Sequence, residues 1–461
     1  MKSTLLLVCA ASFLAGCGAD GDSPASIASG GGPIIASGLT LSGTVVGLMG
    51  SGLVLAPLSA ASDPTPIASN GKFSFASDVF SSGASYFVTV QNQPQEPAQH
   101  CVVNNGAGTF AGGNISNVSI VCASVGRFLY SASATDSTVN AFAIDAATGS
   151  LTPAGPPVAT GRPPRAMVAS PDGKHLYVLD NLGPLLGYAV NESSGQLTQI
   201  PGLSVQAYYG EAIAMDPTGT YLYVSNNFDP SVELFAVDVA SGNLTQIPGS
   251  PGVGDDPGAM VVDRHGDLLI IASAGSNSLS VFQIAPATGK LLEVPGSPFP
   301  AGGSPHSLAL ALNGTYLYTA NLNGSQSSIA GFNLDWKSGS VAALQGSPFA
   351  LSVDNELASD LEGNVLFVTG HGGLDEYVMT TNFGTDGSTP GQLFIQPGSP
   401  FVTGSHPQSI VLDPSGQFVY AANEVDGTIS GFRFDLPSGT LTAVPGSPFS
   451  SGTSPVALAT L

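Results

Sequence analysis

The chain has 461 residues, enough for more than one domain. Charged residues make up only 9% of it and hydrophobic ones 43%, with 59 Gly and 35 Pro, a balance that excludes disorder and favours a folded, turn-rich, all-β protein. A formal net charge of −22, with only ten Lys and Arg, repels phosphate backbones and anionic headgroups, so neither nucleic acid nor a polybasic membrane contact is an expected partner.

Met1 and Lys2 open a short, weakly basic leader, and residues 5–14 are apolar but too few to span a bilayer. The stretch ends in Leu14-Ala15-Gly16-Cys17, which resembles the bacterial lipobox: small residues let a signal peptidase cut before the cysteine. Residues 1–16 are therefore expected to be removed and Cys17 to carry lipid, which would anchor the protein to a membrane. Residues 17–38, rich in Gly, Ser and Ala, cannot bury a core and are read as a flexible tether. Gly18 follows Cys17 where an Asp would mark inner-membrane retention, so the expected location is the cell envelope, at the outer membrane.

Residues 39–123 contain strand-like runs at 41–46, 73–76, 86–90 and 118–122, which predict a small β-sandwich. Cys101 and Cys122 are the pair left once Cys9 leaves with the leader and Cys17 takes lipid. In an oxidising compartment they are expected to form a disulfide, and closing that loop would contribute roughly 3 kcal/mol.

From Gly126 to the end the chain repeats. Seven apolar runs end at Tyr130, Tyr177, Tyr223, Ile270, Tyr318, Phe367 and Tyr420, at steps of 47, 46, 47, 48, 49 and 53 residues. That period suits four short strands and their turns, one propeller blade. A short aliphatic strand A precedes every run but the first, the run itself is strand B, and C and D follow. Glycine punctuates six A–B turns, at 173, 219, 266, 314, 363 and 416, and all seven C–D turns, at 149, 195, 242, 289, 339, 391 and 439. Strand D runs into proline, as at Pro295 and Pro298, which suits an outermost edge.

The first unit begins at strand B, and the chain ends in an orphan strand A, Pro455-Val-Ala-Leu-Ala-Thr-Leu461. Placed beside Phe128, that segment completes blade one. The predicted fold is an all-β, seven-bladed β-propeller over 126–461, closed by the C-terminal strand and preceded by the small sandwich. A parallel β-helix is the rival reading, but it needs no such permutation.

Units such as Asp216-Pro-Thr-Gly-Thr-Tyr-Leu-Tyr-Val-Ser-Asn226, followed by Phe235-Ala-Val-Asp238 and Ser241-Gly-Asn-Leu244, resemble the seven-bladed lactonase propellers and the related YVTN-repeat surface proteins. The resemblance implies either a lactone hydrolase of the 6-phosphogluconolactonase-like kind, acting on a small lactone or carbohydrate, or a non-catalytic surface propeller that binds glycan or protein.

Propeller ligands usually bind where the channel opens, at the start of the A strands. Eight residues before each A–B glycine stand Arg165, Glu211, Gly258, His306, Asn355 and Gln408, with Val456 the seventh by alignment of the last strand. Lactone hydrolysis needs a base to activate water and a positive or hydrogen-bonding group for the oxyanion. His306 and Glu211 are the candidate bases and Arg165 the electrostatic partner; Asn355, Gln408 and the notch at Gly258 are candidate substrate contacts. Pro305-His306-Ser307 also resembles Pro-His segments of lactonase propellers. The plainer alternative is that Arg165 and Glu211 form a salt bridge closing the channel, with His306 a hydrogen-bonded plug. His371 and His406 are read as loop residues, and His175 and His265 fall near A–B turns on the opposite face. The sequence shows no zinc spacing, EF-hand loop, phosphate-cradling loop or nucleophile elbow, and no cofactor is called for. Calcium-dependent gluconolactonase propellers offer one alternative, since Glu211, Asn355 and Gln408 could imitate their channel ligands.

Overall fold

The computed structural model describes residues 39–461, apart from 49–50, 58–63, 76–79, 81, 93, 95–98, 125–126, 181–183, 204, 208, 312–313, 324–325, 350–355, 360–364, 373–374, 384–390, 397 and 436–437. The expected leader, Cys17 and the tether lie outside the described residues, as does Asn355.

Residues 39–124 form two four-stranded sheets. One orders Gly71–Ser74, Leu41–Val46, Ile115–Ser124 and Gln99–Asn104; the other orders Thr65–Ile67, Leu53–Pro57, Ser85–Asn92 and Ala107–Thr109. Alternating apolar residues of both, among them Leu41, Leu53, Leu55, Val88 and Ile120, fill one shared core. Cys101 and Cys122 face each other across two antiparallel strands, Cα atoms 3.9 Å apart, and are disulfide-bonded.

The rest is seven antiparallel sheets. In six of them four strands lie side by side in chain order, so A is inner and D outer. Each A strand packs against the A strands of both neighbouring blades, and the ring closes where Pro455–Thr460 meets Pro164–Ala169. The orphan strand Pro455–Thr460 is strand A of blade one, paired antiparallel with Phe128–Ser133. Phe128 and Leu461 also exchange backbone hydrogen bonds at 3.1 and 2.9 Å. The antiparallel pairing excludes the β-helix.

Strand B is sealed between neighbouring blades: Phe128–Ser133, His175–Asp180, Leu268–Ser273 and Phe418–Asn423 are buried at every residue. The C–D glycines earn their place twice over. Gly195 has φ +70, and a Cβ there would lie 2.4 Å from the ring of Phe128 in the preceding blade. Gly149 stands in the same relation to Phe418, at 2.3 Å. Outside, strand D breaks at a recurrent Gly-Ser-Pro. Its serine takes over a ladder position: Ser297, Ser347 and Ser447 Oγ accept the N–H groups of Val281, Gly331 and Gly431 in strand C, at 2.9–3.0 Å.

One sequence reading shifts. His371 is not in a loop, because strand B of blade six runs on through Gly372 (Val365–Gly372). His175 opens strand B of blade two and is itself buried, its burial holding the imidazole below its usual range.

Candidate active site at the channel mouth

The A strands lose register with strand B at one shared place. The break falls between Pro164 and Ala166, Gly210 and Ile213, Pro257 and Ala259, Pro305 and Ser307, Pro407 and Ser409, and Pro455 and Ala457. Five of these six breaks begin at proline, which cannot continue the ladder as a donor. Such bulges re-aim a side chain at a sheet end. The residues set free are the ones the repeat singled out: Arg165, Glu211, Gly258, His306, Gln408 and Val456. All six line one cavity of about 730 Å³.

Arg165 and Glu211 form the expected ion pair, with Glu211 the more buried partner. Glu211 also accepts from Asn227 Nδ2 at 3.4 Å. Burial raises the Glu211 carboxyl, and Arg165 and Asn227 only partly oppose that, so it stays above the usual range. Gly258 leaves a true notch, since a Cβ there would meet nothing within 4 Å. His306 stands in the next blade, exposed at its edge. Partial burial holds its imidazole below the usual value, and the Asp256 carboxylate pulls the other way. A histidine neutral at pH 7 can take a proton.

The structure adds a second tier that the sequence reading missed. Two residues before the bulged position, Tyr209, Asp256, His406 and Ser454 all adopt left-handed backbone, with φ 59, 55, 61 and 60. Each turns its carbonyl to an N–H of its blade's B–C turn, from Asn227, Ala274 and Glu424, and from Ala134 in the case of Ser454, at 2.8–3.0 Å. In blade seven this brings His406 Nδ1 to 2.7 Å from Glu424 Oε2, while Gln408 Nε2 donates to the same oxygen at 3.0 Å and Ser454 Oγ to the other at 3.1 Å. Burial works against the Glu424 charge, but these hydrogen bonds outweigh it and hold the carboxyl below its usual range. His406, read from sequence as a loop residue, is thus half of an imidazole–carboxylate pair. In blade three, Asn227 ties Glu211 to Asp256, and Tyr209 stacks on Phe228 at 5.0 Å on the rim. Counting two residues back from each bulge would have flagged these positions.

Glu211 is engaged by Arg165 and Asn227, Gln408 by Glu424, and Asn355 is outside the described residues. Among the described residues no three His, Cys, Asp or Glu side chains converge as metal ligands.

Fold and site together define a seven-bladed β-propeller with a polar pocket at the start of its A strands. The profile of the family described as "Lactonase, 7-bladed beta-propeller" matches residues 88–207 and 201–302, just under half of the chain. The matched stretch ends before His306. The chain is similar in structure to the periplasmic gluconolactonase of Pseudomonas aeruginosa, at 22% identity and TM-score 0.59, covering 73% of this chain and 99% of that one. A candidate 6-phosphogluconolactonase from Bacteroides fragilis matches at 16% identity and TM-score 0.59, covering 73% and 98%. A protein from Lactobacillus plantarum matches at 19% and 0.59, covering 73% and 99%. At such identities these likenesses speak for the fold. No curated protein sequence matches significantly.

Proposed function

We propose that this chain is a lactone hydrolase of the cell envelope, held by lipid on Cys17 and acting on a small lactone or related carbohydrate. The observation that carries the reading is the gathering of Arg165, Glu211 and His306 around the Gly258 notch in one cavity. A lactone carbonyl seated in the notch would have a base on either side. Glu211 or His306 takes a proton from water as it adds to the acyl carbon, and the Arg165 guanidinium, with donors beyond those it gives Glu211, meets the developing oxyanion. The mouth also carries Asp256 and Glu424, so a neutral ring suits it better than a phosphorylated one.

The test is turnover of aliphatic lactones by the purified protein and by Gly258→Leu, which fills the notch without touching a polar group. Turnover that Gly258→Leu abolishes supports the reading; a parent no faster than buffer contradicts it.

A second reading, a non-catalytic propeller that binds glycan or protein, draws on the rim. Phe228 is 77% exposed and stacked on Tyr209 two residues from Glu211, an aromatic face of the sort sugars and partner side chains cover.

A further inference from the structure

One step further along each A strand, the cavity wall is a second ring: Ala166, Ala212, Ala259, Ser307, Glu356, Ser409 and Ala457. Six of the seven are Ala or Ser, and blade six alone places a carboxyl there.

The fold explains part of this. Strand A is the inner edge of its sheet, so the N–H groups it turns to the channel have no ladder partner. Three successive blades answer with a side chain: Ser307 Oγ accepts from Leu357 N at 3.0 Å, Glu356 Oε2 from Ile410 N at 2.8 Å, and Ser409 Oγ from Leu458 N at 3.1 Å. The two serines flank Glu356 and make the same blade-to-blade link. The link therefore needs only a small acceptor, and a buried carboxyl is a costly way to supply one. Burial pushes this carboxyl up to about 7, with the Ile410 N–H and the Ser409 hydroxyl opposing only in part, so at neutral pH much of it carries a proton.

Resting on the lactone-hydrolase reading above, we propose that Glu356 is its general acid, giving a proton to the ring oxygen of the lactone held in the cavity that it lines with Glu211, Gly258 and His306. Water adds to the acyl carbon and loses a proton to Glu211 or His306. The acyl–oxygen bond then breaks with its electron pair on the ring oxygen, which takes the Glu356 proton. One lactone and one water give one hydroxy acid; the base releases its proton to solvent and Glu356 regains one from water. An acid placed here serves a poor leaving group, so the substrate class is a lactone that opens to an aliphatic alcohol, as a sugar lactone does, and not to a phenol.

The blade design supplies the variant: Glu356→Ser restores what blades five and seven already use. The protein and this variant are assayed on δ-valerolactone, which opens to an aliphatic alcohol, and dihydrocoumarin, which opens to a phenol. Glu356→Ser is expected to melt like the parent, to lose about a hundredfold in kcat on δ-valerolactone, and to lose far less on dihydrocoumarin. Equal losses on the two lactones, or none on either, overturn the acid role while leaving hydrolysis itself in place. A parent that turns over neither lactone overturns the hydrolase reading and the acid with it. Should Glu356→Ser fold poorly, Glu356→Gln, which keeps the shape and the acceptor for Ile410, decides by the same comparison.

Discussion

Tyr420 of blade seven donates its hydroxyl to the carbonyl of Gly149 in blade one, at 2.7 Å, across the point where the ring closes. Tyr130, Tyr177, Tyr223 and Tyr318 make the same bond to Gly195, Gly242, Gly289 and Gly391, each in the following blade. The repeated tyrosine of strand B and the repeated glycine of the C–D turn are two halves of one contact. The glycine admits the side chain two residues before that tyrosine, as Phe128 packs on Gly195 and Phe418 on Gly149, and its carbonyl satisfies the tyrosine's buried hydroxyl.

Ring closure should therefore dominate stability. Deleting residues 455–461 leaves the edge of Phe128–Ser133 without its partner strand, and an unpaired edge of buried residues invites association. The expected result is a large fall in melting temperature or aggregation, read by calorimetry and light scattering. Arg127 and Asp413, a buried ion pair joining blades one and seven at 3.3 Å, give a milder version: Arg127→Ala should cost about 3 kcal/mol in denaturant unfolding. A truncated protein that melts like the parent contradicts the closure.

Stability should also fall as pH rises through neutrality. Burial pushes Asp180 up to about 7, with Arg162 opposing, and does the same to Glu356. Both folded-state values lie above those of the unfolded chain, so folding takes up protons. The stability these groups contribute is complete below the unfolded carboxylate range and is lost as pH passes through about 7. Asp180→Asn should remove on the order of 2 kcal/mol of that fall between about pH 5.5 and 8.5. The neutral, low-lying histidines His175 and His306 push the other way at mildly acid pH, so the quantity to read is the difference between parent and variant. A variant whose stability falls as steeply as the parent's contradicts the assignment.

The lipid anchor rests on the lipobox reading. Cys17→Ala should abolish lipid labelling and move the protein from the membrane to the soluble fraction. Unchanged partitioning of the variant would remove the anchor from the account.

Most of the propeller was legible because its rules are local. The aromatic of strand B, the turn glycines and the orphan last strand recur at fixed spacing, and spacing alone carried Arg165, Glu211, Gly258, His306, Gln408 and Val456 to one cavity. What spacing could not show was how a bulge and a left-handed residue turn the chain. His406 joins Glu424 because its φ is +61 and its carbonyl is held by Glu424 N, which no composition or period reveals. Glu356 was missed for a simpler reason: it sits one position past the ring that was counted. Only comparison with Ala166, Ser307 and Ser409 shows how out of place a carboxyl is there.

The most direct test of the account is lactone turnover by the parent, His306→Ala and Glu211→Gln, with the melting temperature of each measured on the same preparations. The account predicts saturable turnover of δ-valerolactone by the parent. It predicts a loss of roughly a hundredfold or more in each variant, with little change in melting temperature, because both side chains line the mouth cavity and not the interior between blades. A parent without turnover, or variants as fast as the parent, would contradict it.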